Sequence, residues 1–412
     1  MRILTDNICG LTTAIYSKNK NINLYIGENS LFNGFKKINK NDKLLHLGSR
    51  LIELDYKNGY SQDSIENYIL GYKSHNKYMG YLNDFFKNYF HLNLMEAPDP
   101  LLEVNHTLFE DFIFNNDMSE ILNIFDIADL KNIDLELKAS SMIKSYHDYQ
   151  RLTQEYNYLE LSRKVHTSVI NEAIFEPLLN KICEKKFQNF LSKYHRLLWL
   201  PLFWDSSIKK ALNNNESFNK RTFYQIVNVD IVDILIRSVN NQKNVNFSYF
   251  DELPEFDKND IISLDLKRLF PEPYPDYSEF YVSWVEIKKE FLKKPIPQIT
   301  FTSLDLPYRI SMEQNIMCIE HGLSEVNLNK LIKFLVNNKF VQEGLLFDEI
   351  LNSNMKFYNL PTYSNIKYSK LIKSKIKSEY KSFNIVGPIL EFGTNSLNEQ
   401  IINGIHLGLS ND

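Results

Sequence analysis

The first 26 residues constrain the fold more than any other part of the chain. Arg2 to Thr5 is a short strand-like run, Asn7 to Lys18 has apolar residues at helical spacing, and Asn21 to Ile26 is a second strand-like run. A strand, a tight turn, a helix and another strand within about 30 residues make a βαβ unit, whose two strands are parallel. The sequence therefore predicts an α/β fold that begins with a parallel sheet.

The rest of the chain predicts further layers. Between Gln62 and Lys220 the pattern is mostly helical, including TLFEDFIF from Thr107, which predicts a separate helical layer over the sheet. Beyond that block, DIVDILIRSVNNQ and NLNKLIKFLVN read as helices, while NVNFSYF, DIISLDL, FYVSWVEI and ITFTSLDLPYRISM read as strands. A strand, SFNIVG, and a helix from about Ser396 to Leu409 end the chain.

Length and composition predict two interleaved domains with substantial cores. At 412 residues the chain is too long for one compact core, and its 43% hydrophobic and 13% aromatic content can fill two. The formal net charge of -4, with 47 basic and 51 acidic residues, offers no broad positive surface, so we expect no nucleic-acid partner.

Cysteine spacing and hydropathy bear on metals and compartment. Cys9, Cys183 and Cys318 lie far apart without metal-type spacing, so neither a disulfide framework nor a metal site is predicted. The N-terminus lacks the pattern of a signal peptide, and no window approaches the roughly 18 apolar residues of a membrane span. We therefore expect a cytoplasmic protein.

The segment ILTDNICGLTTAIYSKNKNINLYIGENSLFNGF resembles the N-terminus of flavoproteins such as UDP-galactopyranose mutase, protoporphyrinogen oxidase and the flavin amine oxidases. In these families a strand runs into GxGxxG, a helix follows, and a second strand ends in a ribose-binding Glu. The resemblance places Gly10 at the third glycine. It implies that Asn7, Cys9 and Gly10 lie near the phosphates of FAD and Glu28 near a ribose.

Other segments extend this resemblance in patches over roughly half of the chain. LLHLGSR resembles the glycine turn beside the flavin, and FNIVGPILEFGTNSLNEQIINGIHLG resembles the final strand, turn and helix of the family. The resemblance implies that the isoalloxazine lies near a further set of residues: Gly48, Gly387, Asn395, Ser396 and Leu397. LDLPYRISM resembles the mutase segment with a substrate-side arginine, which implies a substrate site at Arg309, Tyr308 and Arg50.

The implied architecture is a Rossmann-like FAD/NAD(P)-binding domain interleaved with a largely helical plus small-sheet substrate domain. The discontinuous Rossmann-like domain would comprise residues 1–60, 196–270 and 375–412. The substrate or cap domain would comprise residues 61–195 and 271–374.

Three functional hypotheses follow. The first is an FAD-dependent oxidoreductase or sugar-mutase-like enzyme acting on a sugar or nucleotide-sugar intermediate of surface-polysaccharide synthesis. The second is a flavin-free relative that serves as a binding or scaffold subunit, because Thr5 and Asn7 replace the first two glycines, Gly27 replaces the ribose-binding Glu, and Pro388 replaces a substrate-clamping arginine. The third is an enzyme that reuses the same cleft without flavin. His46 and His406 could act as acid or base groups there, or could simply be packed or exposed.

Overall fold

A computed structural model describes residues 1–19, 21–30, 32–48, 51–53, 79–110, 151, 157, 160, 171–183, 188–191, 223–257, 259–264, 268, 275–322, 327–344, 348–360, 362–380, 384–385 and 397–410. Within these residues the structure has a five-stranded parallel sheet, a mostly antiparallel sheet of seven strands and two smaller sheets. The predicted α/β fold is confirmed.

The parallel sheet contains the N-terminal βαβ unit. Its five strands are β1 (Arg2–Thr5), β2 (Ile22–Gly27), β10 (Val245–Phe250), β11 (Ile261–Ser263) and β17 (Asn384–Ile385), in the order β10-β2-β1-β11-β17. Every neighbouring pair is parallel. With the strands ranked along the chain, this is the 3-2-1-4-5 order of a Rossmann sheet, so the carboxyl ends of all five strands share one edge.

Helices cover this sheet because each presents an apolar face to it. They are α1 (Ile8–Tyr16), α2 (Met79–Phe90), α4 (Ile231–Asn240) and α7 (Leu397–Ser410). Their buried residues join those of the strands in one apolar core, which includes Ile3, Leu24, Phe85, Leu235 and Ile401. Asp230 caps α4 by accepting hydrogen bonds from the amides of Val232 and Asp233, at 2.7 and 3.2 Å.

The second sheet has seven strands in the order β16-β12-β15-β14-β13-β7-β8. These are β7 (Leu101–Val104), β8 (Thr107–Glu110), β12 (Tyr277–Glu286), β13 (Ile299–Phe301), β14 (Arg309–Glu313), β15 (Ile316–His321) and β16 (Asp348–Asn359). All pairs are antiparallel except β13 with β7. Helix α5 (Leu328–Asn337) covers one face and packs Leu331 and Leu335 against Ile310 and Ile319.

The other face of the seven-stranded sheet meets a hairpin made of β3 (Ile38–Lys40) and β4 (Lys43–Leu45). Leu45 and Leu47 pack with Trp284 and Cys318 in a small buried cluster. The indole Nε1 of Trp284 donates a 2.7 Å hydrogen bond to the carbonyl oxygen of His46. The hairpin therefore fixes His46 against the seven-stranded sheet.

A third, small sheet and two helices complete the described elements. The sheet has the order β5-β9-β6, made of β5 (Ile52–Glu53), β6 (Leu94–Glu96) and β9 (Phe223–Ile226). The helices are α3 (Glu176–Cys183), which follows a π-helical turn at Asn171–Phe175, and α6 (Tyr363–Tyr380). In the described part of the chain, no helix is long and apolar enough to cross a membrane.

The prediction of a helical layer is wrong for the segment that begins at Thr107. Thr107 begins a strand rather than a helix, because Asn105 (φ 51°) and His106 (φ 63°) form a two-residue turn that pairs β7 with β8. Positive φ at both turn positions matches the twist of a hairpin, and Asn favours that conformation. Helix α2 lies within the predicted block as expected, whereas residues 111–150 and 192–222 lie outside the described residues.

Candidate functional site

The carboxyl edge of the parallel sheet carries the turn between β1 and α1. In Rossmann folds the first amides of this helix bind a pyrophosphate, because they have no partners within the helix and lie at its positive end. Asn7 is the N-cap of α1, and its Oδ1 accepts hydrogen bonds from the Gly10 amide at 3.3 Å and the Ser263 hydroxyl at 2.7 Å. Its Nδ2 donates to the Ser263 carbonyl at 2.7 Å. The Asn7 side chain therefore joins α1 to β11.

Other side chains occupy the neighbouring amides. The Asn7 amide donates to Thr5 Oγ1 at 3.2 Å, and the Ile8 amide donates to Oε1 of Gln400 at 3.2 Å. Gln400 lies on α7 and is 1% exposed. With the Gly10 amide bonded to Asn7, three of the amides that would face a pyrophosphate already have acceptors supplied by the protein.

The turn also holds a buried acidic residue. Asp6 is 1% exposed, and its Oδ2 lies 3.4 Å from Nε of Arg268. The Arg268 guanidinium lies over the carboxyl end of β2, where a Cβ added to Gly27 would be 2.9 Å from its Cζ. It donates a 3.1 Å hydrogen bond to the Asp251 carbonyl and another hydrogen bond to the Glu28 carbonyl. Arg268 thus fills the strand edge at which these folds hold the ribose.

Close packing closes the remaining space of this turn. A Cβ added to Gly10 would lie 2.2 Å from Thr5 Oγ1, so only glycine lets α1 approach β1 this closely. Cys9 is fully buried, whereas Glu28 is exposed at the end of β2. The residues of the turn therefore do not fit the ADP end of FAD: the amides are bonded, the turn is filled, and a buried carboxylate would face the phosphates.

A cleft lies between the hairpin, the seven-stranded sheet and the small sheet. It is open to solvent, and His46 and Ile226 also line a neighbouring apolar pocket. The cleft is lined by His46, Leu51, Ala97, Pro98, Gln225, Ile226, Ile296, Pro297, Gln298, Ser311, Met312 and Glu313. The pocket is lined mainly by apolar side chains, including Phe35, Leu47 and Leu397. Apolar linings with a few polar groups are typical of sites for small ligands.

Four polar side chains meet at the wall of this cleft. His46 Nε2 lies 3.1 Å from Ser311 Oγ, and His46 Nδ1 lies 3.9 Å from Glu313 Oε2. Glu313 also forms an ion pair with Lys37 and accepts a 3.1 Å hydrogen bond from the Asn228 amide. The Lys37 amide donates to the carboxylate of Asp230, whose pKa is raised by burial. The carboxylate of Glu313 thus balances the charge of Lys37.

Arg309, predicted to bind substrate, forms a bidentate ion pair with Glu320. Its Nε and Nη2 lie 2.7 and 2.8 Å from the two carboxylate oxygens, and its Cζ lies 5.3 Å from the ring centroid of Tyr308. Glu320 is 1% exposed and packs against Gly48, where an added Cβ would lie 2.7 Å from its Cδ. Gly48 has a φ of +111°, so glycine is required there for its backbone conformation as well.

The structure gathers the predicted site residues into two groups. Asn7, Cys9 and Gly10 lie at the closed turn, while Leu397 lines the pocket together with His46 and Leu47, the residue that precedes Gly48 in the sequence. Arg50, Gly387, Asn395 and Ser396 lie outside the described residues.

Sequence reasoning missed Ser311, Glu313, Lys37, Arg268 and Gln400. Only the first two had a local signal, because period-2 alternation in RISME puts Arg309, Ser311 and Glu313 on one face of β14.

The parallel 3-2-1-4-5 sheet, accompanied by a second sheet of seven strands, defines a Rossmann-like fold of the FAD/NAD(P)-binding type. No family model matches the chain, and no curated protein matches it by sequence.

Solved structures match it over 98% or more of its length. Reduced UDP-galactopyranose mutase is 12% identical with a TM-score of 0.61, covering 100% of this chain and 96% of its own. A CLA-producing fatty acid isomerase from P. acnes is 8% identical with a TM-score of 0.55, covering 100% and 98%. An oxidoreductase from Methanosarcina mazei is 9% identical with a TM-score of 0.52, covering 98% of each chain. At these identities the similarity establishes the FAD-dependent oxidoreductase-like fold alone.

Proposed function

We propose that this chain is a flavin-independent member of the FAD-dependent oxidoreductase-like fold class, and that its cleft binds a small uncharged molecule. One observation carries the proposal: the amides of Asn7, Ile8 and Gly10 donate hydrogen bonds to the side chains of Thr5, Gln400 and Asn7, respectively. A pyrophosphate would have to displace all three acceptors and lie beside the Asp6 carboxylate. Buried polar groups that lose their partners carry a large desolvation cost.

The charges around the cleft support an uncharged ligand. Among the described residues, Lys37 is paired with Glu313 and Arg309 with Glu320, so both cations are already neutralised. A diphosphate needs cations that are available to it. Apolar side chains make up much of the lining, and the side chains of Gln225 and Gln298 add polar groups of the kind that recognise a neutral polar ligand.

The competing proposal is a flavin-dependent enzyme that acts on a sugar or nucleotide-sugar intermediate of surface-polysaccharide synthesis. It is favoured by the whole-length fold similarity to UDP-galactopyranose mutase and by the apolar pocket at Leu397. In that proposal Glu28, Gly48 and Leu397 would contact FAD, and Arg309, Tyr308 and Arg50 would contact the substrate.

The visible absorption spectrum of the purified full-length protein separates the two proposals. We expect no flavin bands, and no shift in the spectrum of added FAD. Yellow protein with stoichiometric FAD would overturn the flavin-independent proposal and favour the flavoenzyme.

A variant tests whether the bonded amides are what excludes FAD. Thr5→Gly, Asn7→Gly and Gln400→Ala together free the amides of Asn7, Ile8 and Gly10. We expect this variant to bind FAD more tightly than the wild type. Thr13→Ala is the control, because Thr13 Oγ1 donates to the Cys9 carbonyl at 2.8 Å inside the same helix and touches none of those amides.

A further inference from the structure

A serine, a histidine and a glutamate converge on the wall of the cleft. Ser311 Oγ lies 3.1 Å from His46 Nε2, within the range in which a histidine activates a hydroxyl nucleophile. Glu313 Oε2 lies 3.9 Å from the other ring nitrogen, His46 Nδ1. A carboxylate at this distance stabilises the imidazolium that forms when the hydroxyl gives up its proton.

The fold holds each of the three residues through a different element. Ser311 and Glu313 are two residues apart on β14, so both side chains leave the same face of the sheet. His46 follows β4, and its carbonyl is bonded by the buried indole of Trp284. Lys37 and the Asn228 amide hold the Glu313 carboxylate in place. The arrangement is therefore supported by contacts outside itself, as a preorganised site requires.

A hydrogen-bond donor lies beside the serine. The antiparallel register Ile299↔Ile310, continued by one residue, puts Gln298 opposite Ser311. Residues directly opposite each other in such a pair have Cβ atoms about 5 Å apart. Gln298 and Gln225 both line the cleft, and a side-chain amide N–H can stabilise the negative oxygen that develops during attack on a carbonyl.

We propose that Ser311 is a nucleophile for acyl transfer from a neutral ester, with His46 as its base and Glu313 as the carboxylate that stabilises the His46 imidazolium. Ser311 Oγ bonds to the ester carbonyl carbon while its proton passes to His46 Nε2. The bond from that carbon to the alcohol oxygen then breaks, and His46 returns the proton to the leaving oxygen. Water repeats the sequence on the acyl-serine and releases the carboxylic acid. This inference rests on the proposed function, because it requires a cleft that holds no flavin.

The cleft sets the class of ester. Leu51, Ile226, Ile296 and Met312 give it apolar walls, which suit a small uncharged acyl group. No lysine or arginine is among the described residues that line the cleft, so a neutral ester is favoured over an acyl phosphate or an acidic acyl chain.

Phenylmethanesulfonyl fluoride, a small neutral reagent, tests the nucleophile. A bond forms between Ser311 Oγ and sulfur, the sulfur–fluorine bond breaks, and the serine proton leaves through His46. We expect one adduct per chain by intact mass, mapped by peptide analysis to Ser311 and absent in Ser311→Ala. His46→Gln should slow labelling by about 100-fold or more, because general-base assistance contributes about 10²–10⁴. Wild-type protein that is not labelled at Ser311 would overturn the proposal, whatever the variants do.

The sheet offers a matched control. Ser283 Oγ lies 3.0 Å from Nε2 of His321, but neither residue is among those lining the cleft or the pocket. Ser283→Ala should therefore be labelled like the wild type, and labelling at Ser283 instead of Ser311 would contradict the assignment.

A second variant keeps the test independent of serine reactivity. In Ser311→Cys, His46 should favour the thiolate, so alkylation by iodoacetamide should extend to a lower pH than in the double variant with His46→Gln. Identical pH profiles would show a merely structural contact and overturn the proposal. A yellow protein would refute the proposed function, whereas a colourless protein without Ser311 labelling would refute this inference alone.

Discussion

Replacing Arg309 with methionine should destabilise the fold, because it leaves the Glu320 carboxylate buried without its cation. Both oxygens of that carboxylate lie within 2.8 Å of the Arg309 guanidinium, and Glu320 is 1% exposed. Methionine keeps much of the length and apolar volume of the arginine side chain while removing its charge.

The magnitude follows from the burial of the two partners. Removing one partner of a buried ion pair costs about 3–5 kcal/mol, because the remaining charge is neither hydrated nor compensated. The Arg309 side chain is 20% exposed, so some water can reach the carboxylate in the variant. We therefore expect the lower end of that range, about 3 kcal/mol.

Urea unfolding followed by tryptophan fluorescence measures this loss, since Trp284 is buried on the same face of the sheet. The deficit of Arg309→Met should shrink as the pH falls from 7 towards about 5, because an isolated buried carboxylate takes up a proton more readily in the folded than in the unfolded chain. The proton then binds the folded state preferentially, which restores stability on the acid side.

A double-mutant cycle provides the control. Adding Glu320→Leu to Arg309→Met removes the unpaired charge, so the double variant should regain most of the lost free energy. A loss below about 1 kcal/mol for Arg309→Met, with no recovery in the double variant, would refute the structural role of the pair. It would leave Arg309 available for the substrate role that its sequence context implies.

Two further changes test the packing of the described regions. Gly10→Ala should cost about 1–3 kcal/mol of unfolding free energy, because the new Cβ meets Thr5 Oγ1 at 2.2 Å. Adding Thr5→Gly should recover part of the loss. An unchanged urea midpoint for Gly10→Ala would contradict the close contact of α1 with β1. Burial lowers the pKa of Lys181 to about 7. Between that pH and the ordinary lysine pKa, the folded chain therefore binds fewer protons than the unfolded chain. The stability of the wild type should rise relative to that of Lys181→Met as the pH increases from 7 to 10. Parallel urea midpoints of the two proteins over that range would count against a buried Lys181.

The sequence predicted those features that depend on neighbouring residues. The period-2 and helical patterns of the first 26 residues gave the βαβ unit, and Asn327 caps the predicted helix α5 through its bond to the Lys330 amide. The hairpin turn at Asn105 was also encoded locally, but the helical spacing of the following apolar residues concealed it.

The candidate site depends on contacts that no local pattern reveals. Ile8 and Gln400 are 392 residues apart, and Asp6 reaches Arg268 from a different strand end. The substitutions Thr5 and Asn7 showed that the phosphate turn had changed, but only the fold shows that their side chains supply the acceptors of its amides. Likewise, His46 and Ser311 lie far apart in the sequence and meet because the β3–β4 hairpin packs on the seven-stranded sheet that contains β14.

Helix α7 connects the closed turn to the cleft. Leu397 and Gln400 are three residues apart, so they lie on one face of the helix, where Leu397 lines the pocket and Gln400 bonds the Ile8 amide. A displacement of α7 that opened the turn for a pyrophosphate would therefore also move a wall of the pocket. The pocket and the closed turn therefore depend on the same position of α7. A ligand that fills the pocket is expected to stabilise the hydrogen bond from the Ile8 amide to Gln400.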